Sequence, residues 1–180
     1  MRDQASIARV DLLHPAIRDE VKKLIGVAEL WLPNTAVRIA QGLRTFAEQD
    51  GLYALGRTKV NPDGKSVKKP LGNIVTNSKA GQSYHNYGIA IDFLLLYDKD
   101  SNGTYETLSW DTLKDMDKDG QADWMEVVDI FEDAGYTWGG RFHSIVDNPH
   151  LEKTFGINWK QMLLRYEQKN FIDGTTYIKI

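Results

Sequence analysis

The run GIAIDFLLLY, residues 88–97, constrains this chain more than any other stretch of its length. It is almost unbroken in apolar character and is bounded by turn residues, the pattern of a strand buried at the centre of a sheet. Asp92 nevertheless lies inside it. A carboxylate there is costly unless it is paired or bound to a cation, because desolvating the charge costs several kcal/mol. Asp92 therefore needs a partner, and His85, just upstream in SYHNYG, is near enough in sequence to share one.

The flanking text sets the fold class. After Pro15, the segment AIRDEVKKLIGVAELW places Ile17, Val21, Leu24, Ile25 and Leu30 at helical spacing, with proline where a first turn tolerates it. AVRIAQGL alternates like a short strand, and Thr45 and Glu48 then have capping-box spacing for a helix from Phe46 to about Leu55. Residues 56–82 are rich in Gly, Pro, Asn, Ser and Lys and read as a long loop with one short strand around Ile74. DWMEVVDIFEDAG puts Trp124, Val127, Val128 and Phe131 on one helical face. YTWGGRF and NPHLEK read as short strands or turns, NWKQMLLRYEQ as a last amphipathic helix and TTYIKI as a closing edge strand. Helices and strands alternate without a βαβ rhythm, which predicts an α+β fold with a small, largely antiparallel sheet flanked by helices. At 180 residues the expectation is a single compact domain spanning 1–180.

Composition narrows the chemistry. Basic and acidic residues number 22 and 25 with signs mixed throughout, so no field favours nucleic acid or an anionic membrane. Cysteine is absent, which excludes thiolate nucleophiles, disulfides and cysteine-built zinc sites. Any metal must be held by His, Asp or Glu. No apolar stretch reaches signal-peptide or membrane-spanning length, so synthesis is expected to end in the cytosol, with no membrane anchor and with export dependent on other machinery.

A third candidate ligand sits far downstream, in SIVDNPHLE, where His150 follows Pro149 and Asp147 lies three residues earlier. Two imidazoles and one carboxylate leave the fourth tetrahedral position of a zinc ion open, as in catalytic sites. A nearby carboxylate that is not a ligand is then placed to accept a proton. Taken singly, His85 with Asp92 also reads as a structural pair, and DNPH as a turn with its Asp side chain on backbone.

Together, SYHNYGIAID, WGGRF and VDNPHLE resemble the metal-dependent peptidoglycan peptidases, a family that includes D-alanyl-D-alanine carboxypeptidases and the L-alanyl-D-glutamate endopeptidases of bacteriophage lysis. Ser83, His85, Asp92, Trp138, Gly139, Gly140, Asp147 and His150 all fall on the family pattern, and the resemblance runs from about residue 40 to about residue 160. It implies the D-Ala-D-Ala-peptidase/Hedgehog-like fold, zinc bound by His85, Asp92 and His150, and Asp147 as general base. It also implies that Arg44, in GLRTFAEQDG, holds a carboxylate of the peptidoglycan stem peptide, with Ser83 and Trp138 as further substrate-binding residues. An Asp rather than a Glu three places before the final His resembles the L-alanyl-D-glutamate endopeptidases, with D,D-carboxypeptidase activity as the alternative. A catalytically silent zinc- and calcium-bearing wall-binding module is a third reading. The expected protein is a monomeric phage endolysin reaching the cell wall after holin-type release. His143 is expected to line the cleft or pack beside it, and His14 to have no chemical role.

An acidic insertion, at about 98–126, carries a second metal motif. DMDKDGQADWME matches the EF-hand calcium loop in full, with Asp115, Asp117, Asp119, Gln121 (through its carbonyl), Asp123 and Glu126 as ligands and Gly120 at the sharp turn. DKDSNGTYETLS begins the same way, with Asp98, Asp100 and Asn102, but ends in Ser109 where a Glu is required, and is expected to be a weak site or a plain turn. The resemblance to calcium-regulated phage endopeptidases implies that calcium orders the segment leading to WGGRF and VDNPH.

Overall fold

The computed structural model describes residues 1–143 and 145–180, which form two compact units: residues 1–43 with 88–154, and residues 44–87 with 155–180. In chain order the elements are α1 (Gln4–Asp11), α2 (Pro15–Trp31), β1 (Thr35–Gln41), α3 (Phe46–Ala54), β2 (Ala90–Tyr97), β3 (Thr107–Ser109), α4 (Asp123–Asp133), β4 (Thr137–Trp138), β5 (His150–Glu152) and α5 (Trp159–Glu167). The α+β class and the antiparallel sheet expected from the sequence are both present.

In the first unit the sheet is built around β2. One edge of β2 pairs with β1, and the other is shared by β3 and β5, with β4 beyond β5; every pairing is antiparallel. The register sets Val37 opposite Leu95 and Ile39 opposite Phe93, and the Phe93 ring lies 4.4 Å from that of Trp124 on α4. Val21, Ile25 and Ala28 of α2 and Val127, Val128 and Phe131 of α4 are buried with them. Each large side chain so buried stabilises the fold by roughly 1.5–3 kcal/mol. On the opposite face Leu94 and Leu96 form a smaller cluster with Ala36. Asp92 shares this second face by alternation, so strand periodicity keeps its carboxylate out of the main core.

Two features depart from the sequence expectations here. Leu30, assigned to the buried face of α2, is 79% exposed, and Glu29 is buried in its place. The reason is polar: the Glu29 carboxylate accepts the backbone N–H of Arg2 at 2.7 Å and of Val37 at 3.3 Å. The second is α1, which the charged N-terminal text concealed. Its side chains occupy the open edge of β1, Ser6 Oγ accepting the Ile39 N–H at 2.7 Å and Arg9 donating to the Ile39 carbonyl at 2.9 Å. An exposed ladder edge is thereby satisfied.

The second unit has helices and a long connection but no named strand. α3 opens with the predicted capping box, Thr45 and Glu48 bonding reciprocally, and α5 opens with a second one from Asn158 and Gln161. Phe46 joins the two helices, its ring 4.6 Å from Tyr166 and edge-on to Tyr87 at 6.2 Å. The strand expected around Ile74 does not form. That segment is held instead by Asn61, whose backbone N–H donates to the Leu71 carbonyl and whose side-chain amide donates to the Asn73 carbonyl. TTYIKI likewise makes only an isolated bridge, between Phe171 and Ile178.

Candidate active site

The register between β2 and β5 builds the centre of the site. Asp92 stands opposite His150, and Ala90 opposite Glu152. Asp92 Oδ1 lies 3.2 Å from His150 Nδ1, and Glu152 Oε2 lies 2.8 Å from His150 Nε2. His150 is buried, which alone would lower its pKa, but the two carboxylates override that and hold it up at about 9. The partner that the apolar run required for Asp92 is thus supplied from β5. Asp92 and His150 form a candidate His/Asp metal site.

The turn before β5 is fixed by the WGGR segment. The Gly139 carbonyl accepts the N–H of Asp147 at 3.0 Å, and the Asp147 carbonyl accepts that of His150 at 3.1 Å. A Cβ on Gly139 would stand 2.5 Å from the Asp147 carbonyl oxygen and 2.9 Å from His150 Cβ, so only glycine fits. The indole N–H of Trp138 donates to the Asn148 carbonyl at 2.6 Å. This bond braces the turn. Asp147 itself is exposed on that turn, as is His143 upstream of it. Arg141 forms a two-pronged ion pair with Glu132 near the end of α4, at 2.9 and 2.8 Å, which ties the turn to that helix.

The upstream motif lies in the second unit. His85 is buried, in a short 3-10 turn, Tyr84–Tyr87, that runs through Gly88 and Ile89 into β2. Its carbonyl accepts the backbone N–H of Arg44 at 3.0 Å. The Arg44 side chain donates to Gln49 Oε1 at 2.9 Å, and Gln49 is itself buried and bonded to the Ser78 carbonyl. Ser83 is half-buried and its carbonyl accepts the N–H of Asn86. Asn86 escaped the sequence reading. Its amide donates to the carbonyls of Arg44 and Thr45, and its oxygen accepts the Gly81 N–H. The signal was a buried amide between two aromatic residues, too common a pattern to single out. His14 N-caps α2 through Nδ1.

A family model described as D-alanyl-D-alanine carboxypeptidase, of the M15 peptidases, matches residues 76–153. The peptidoglycan L-alanyl-D-glutamate endopeptidase CwlK of Bacillus subtilis (strain 168) is 41% identical over 140 residues, covering 78% of this chain and 72% of CwlK. The chain belongs to the M15 peptidase family. The crystal structure of the Serratia marcescens L-Ala D-Glu endopeptidase ChiX is similar at a TM-score of 0.49 and 20% identity, over 83% of this chain and 86% of that one.

Between its two sheet-borne motifs this M15 peptidase carries the acidic loop. Asp115 accepts the backbone N–H groups of Lys118 and Gly120, Asp117 that of Asp119, and Asp119 that of Gln121. Gly120 takes φ +100°, the left-handed turn the motif demands. Asp123 is fully buried at the start of α4, accepting the Met116 N–H at 2.9 Å and the Thr35 hydroxyl at 3.4 Å. Carboxylate oxygens of Asp115, Asp117 and Asp123, and of Asp117, Asp119 and Glu126, lie within 4.8 Å of one another. Glu126 is buried and its Oε2 has no hydrogen-bond partner among the described residues. Burial, then the charges of Asp119, Asp117, Asp123 and Asp115, push its pKa up to about 7. The Asp98 loop differs. Asp98 accepts the N–H groups of Asn102 and Gly103, while Ser109 lies in β3 opposite Leu95, so the segment is a turn between two paired strands.

Proposed function

We propose that this peptidase is a zinc-dependent L-alanyl-D-glutamate endopeptidase of the peptidoglycan stem. The observation that carries the reading is the Asp92–His150 pair beside the Asp147 turn, in a chain 41% identical to an endopeptidase of that specificity. His85 is the proposed third ligand, a buried imidazole on the turn that leads into β2. Two histidine nitrogens and one carboxylate oxygen suit zinc and leave one position open. A zinc ion held there supplies Lewis acidity for hydrolysis of a peptide bond. Asp147, exposed to incoming substrate, accepts the proton of the attacking water and returns it to the leaving amine. Arg44 is the proposed partner of a stem-peptide carboxylate, a role its forked guanidinium suits, and Ser83 and Trp138 are proposed as further substrate-binding residues.

Calcium is the proposed occupant of the loop from Asp115 to Glu126. The support is the buried Glu126, one oxygen of which has no hydrogen-bond partner among the described residues and whose carboxylate groups with those of Asp117 and Asp119, a charge cluster that a divalent cation would neutralise. Helix α4 begins in this loop and ends near the Glu132–Arg141 ion pair, so ordering the loop would steady the turn that carries Asp147. A phage endolysin that reaches the wall after holin-type release is the proposed setting, by resemblance; no helix among the described residues is long and apolar enough to cross a membrane.

Digestion of purified peptidoglycan with the zinc- and calcium-loaded protein, followed by mass spectrometry of the released ends, tests the reading. New amino termini on D-glutamate are expected. Release of D-alanine alone would replace it with a D,D-carboxypeptidase, and no product under any metal condition would leave a wall-binding module.

A further inference from the structure

We infer that Glu152, outside the ligand set and outside the proton-transfer step, is a positioning residue that fixes which nitrogen of His150 faces the metal. The inference rests on the reading of Asp92 and His150 as metal ligands.

An imidazole that binds a metal through one nitrogen carries its proton on the other, and the partner of that other nitrogen sets the tautomer and the ring angle. Both His150 nitrogens face carboxylates, at distances that differ in kind. The Nε2 to Glu152 separation of 2.8 Å is that of an N–H donating to a carboxylate. The Nδ1 to Asp92 separation of 3.2 Å is longer, and it is close to the edge of a tetrahedron whose corners lie about 2.0–2.1 Å from a zinc ion, roughly 3.3 Å. Asp92 therefore stands where a second ligand belongs, and Glu152 where a proton acceptor belongs.

The sheet explains why Glu152 can do this. His150 and Glu152 are two residues apart on β5 and project from the same face, while Leu151 between them is buried on the other. The residue opposite Glu152 on β2 is Ala90, whose small side chain leaves room for the carboxylate to turn back onto the ring. The Glu152 side chain is only 13% exposed, so water competes weakly for it. Its backbone also pairs with Thr137 of β4, so the residue is held from both sides.

The test uses the zinc-loaded protein and its variants Glu152→Ala, Glu152→Gln and His150→Ala. Long-range proton–nitrogen NMR of the wild type should show His150 with its proton on Nε2. Glu152→Ala should lower zinc affinity, measured by chelator competition, by about 10- to 100-fold. Glu152→Gln keeps an acceptor oxygen and should recover most of that loss, which a generally disturbed sheet would not. Should Glu152→Ala fail to fold, the wild-type tautomer and the Gln variant still decide. A proton on Nδ1 in the wild type, or wild-type zinc affinity in Glu152→Ala, would overturn the inference. If His150→Ala itself keeps wild-type zinc affinity, the reading of the metal site fails, and this inference fails with it for a different and recognisable reason.

Discussion

The sheet-borne pair and the acidic loop both gather carboxylates, but they hold them in opposite ways. In the strands β2 and β5 the backbone groups bond to one another, so the side chains of Asp92, His150 and Glu152 are available to interact with one another. In the loop the carboxylates of Asp115, Asp117 and Asp119 are already engaged with the backbone N–H groups that shape the turn. The first is a scaffold that presents ligands; the second is a turn stabilised by its ligands. On the proposed reading a cation would add function to the one and relieve repulsion in the other, where Glu126 bears the crowding.

Three substitutions probe that contrast. Asp92→Asn should cut kcat/KM on peptidoglycan by about 1,000-fold, the scale for losing an essential electrostatic group, and should leave calcium affinity unchanged. A parallel fall in calcium binding, read by titration calorimetry, would mean that the two regions are one coupled system. Glu126→Gln should weaken calcium at least about tenfold while raising the melting temperature of calcium-free protein by about 2–4 °C for each kcal/mol of repulsion removed. Zinc content should stay at the wild-type level; a variant that melts lower without calcium would show that the loop carboxylates do not strain the fold. The smallest effect is expected from Trp138→Phe, which deletes one hydrogen bond to Asn148 worth about 1 kcal/mol. Its melting point should drop by about 2–4 °C with both metals retained. If turnover falls far more than stability, Trp138 touches substrate as well as the turn.

The same contrast governs what could be read from the sequence. The acidic loop was legible because its geometry is local: the bonds from Asp115, Asp117 and Asp119 that shape its turn span five residues or fewer, and the motif is linear. The helices α2, α3, α4 and α5 were legible for the same reason, through apolar spacing and capping pairs. The need for a partner at Asp92 followed from burial, but the partner's identity depends on a register linking residues 58 positions apart, which no local pattern encodes. Resemblance to a family supplied it. Glu29 and α1 were missed because both act at a distance, one taking N–H groups from Arg2 and Val37 and the other sealing the edge of β1. The expected strands near Ile74 and at the C-terminus were β-rich text without a neighbouring ladder to join.

Gly139 has a practical consequence for anyone wishing to alter what this enzyme cuts. The surface around Asp147 invites randomisation, since Ile145, Val146 and Asp147 are exposed, yet the carbonyl of Asp147 and the Cβ of His150 leave no room for a side chain at Gly139. A combinatorial library spanning the whole turn would lose nineteen of every twenty members to a single codon, an estimate that follows from glycine alone fitting there. Libraries that hold Gly139 fixed and vary the exposed Ile145 and Val146 keep the close packing of the turn while sampling the surface beside the proposed general base.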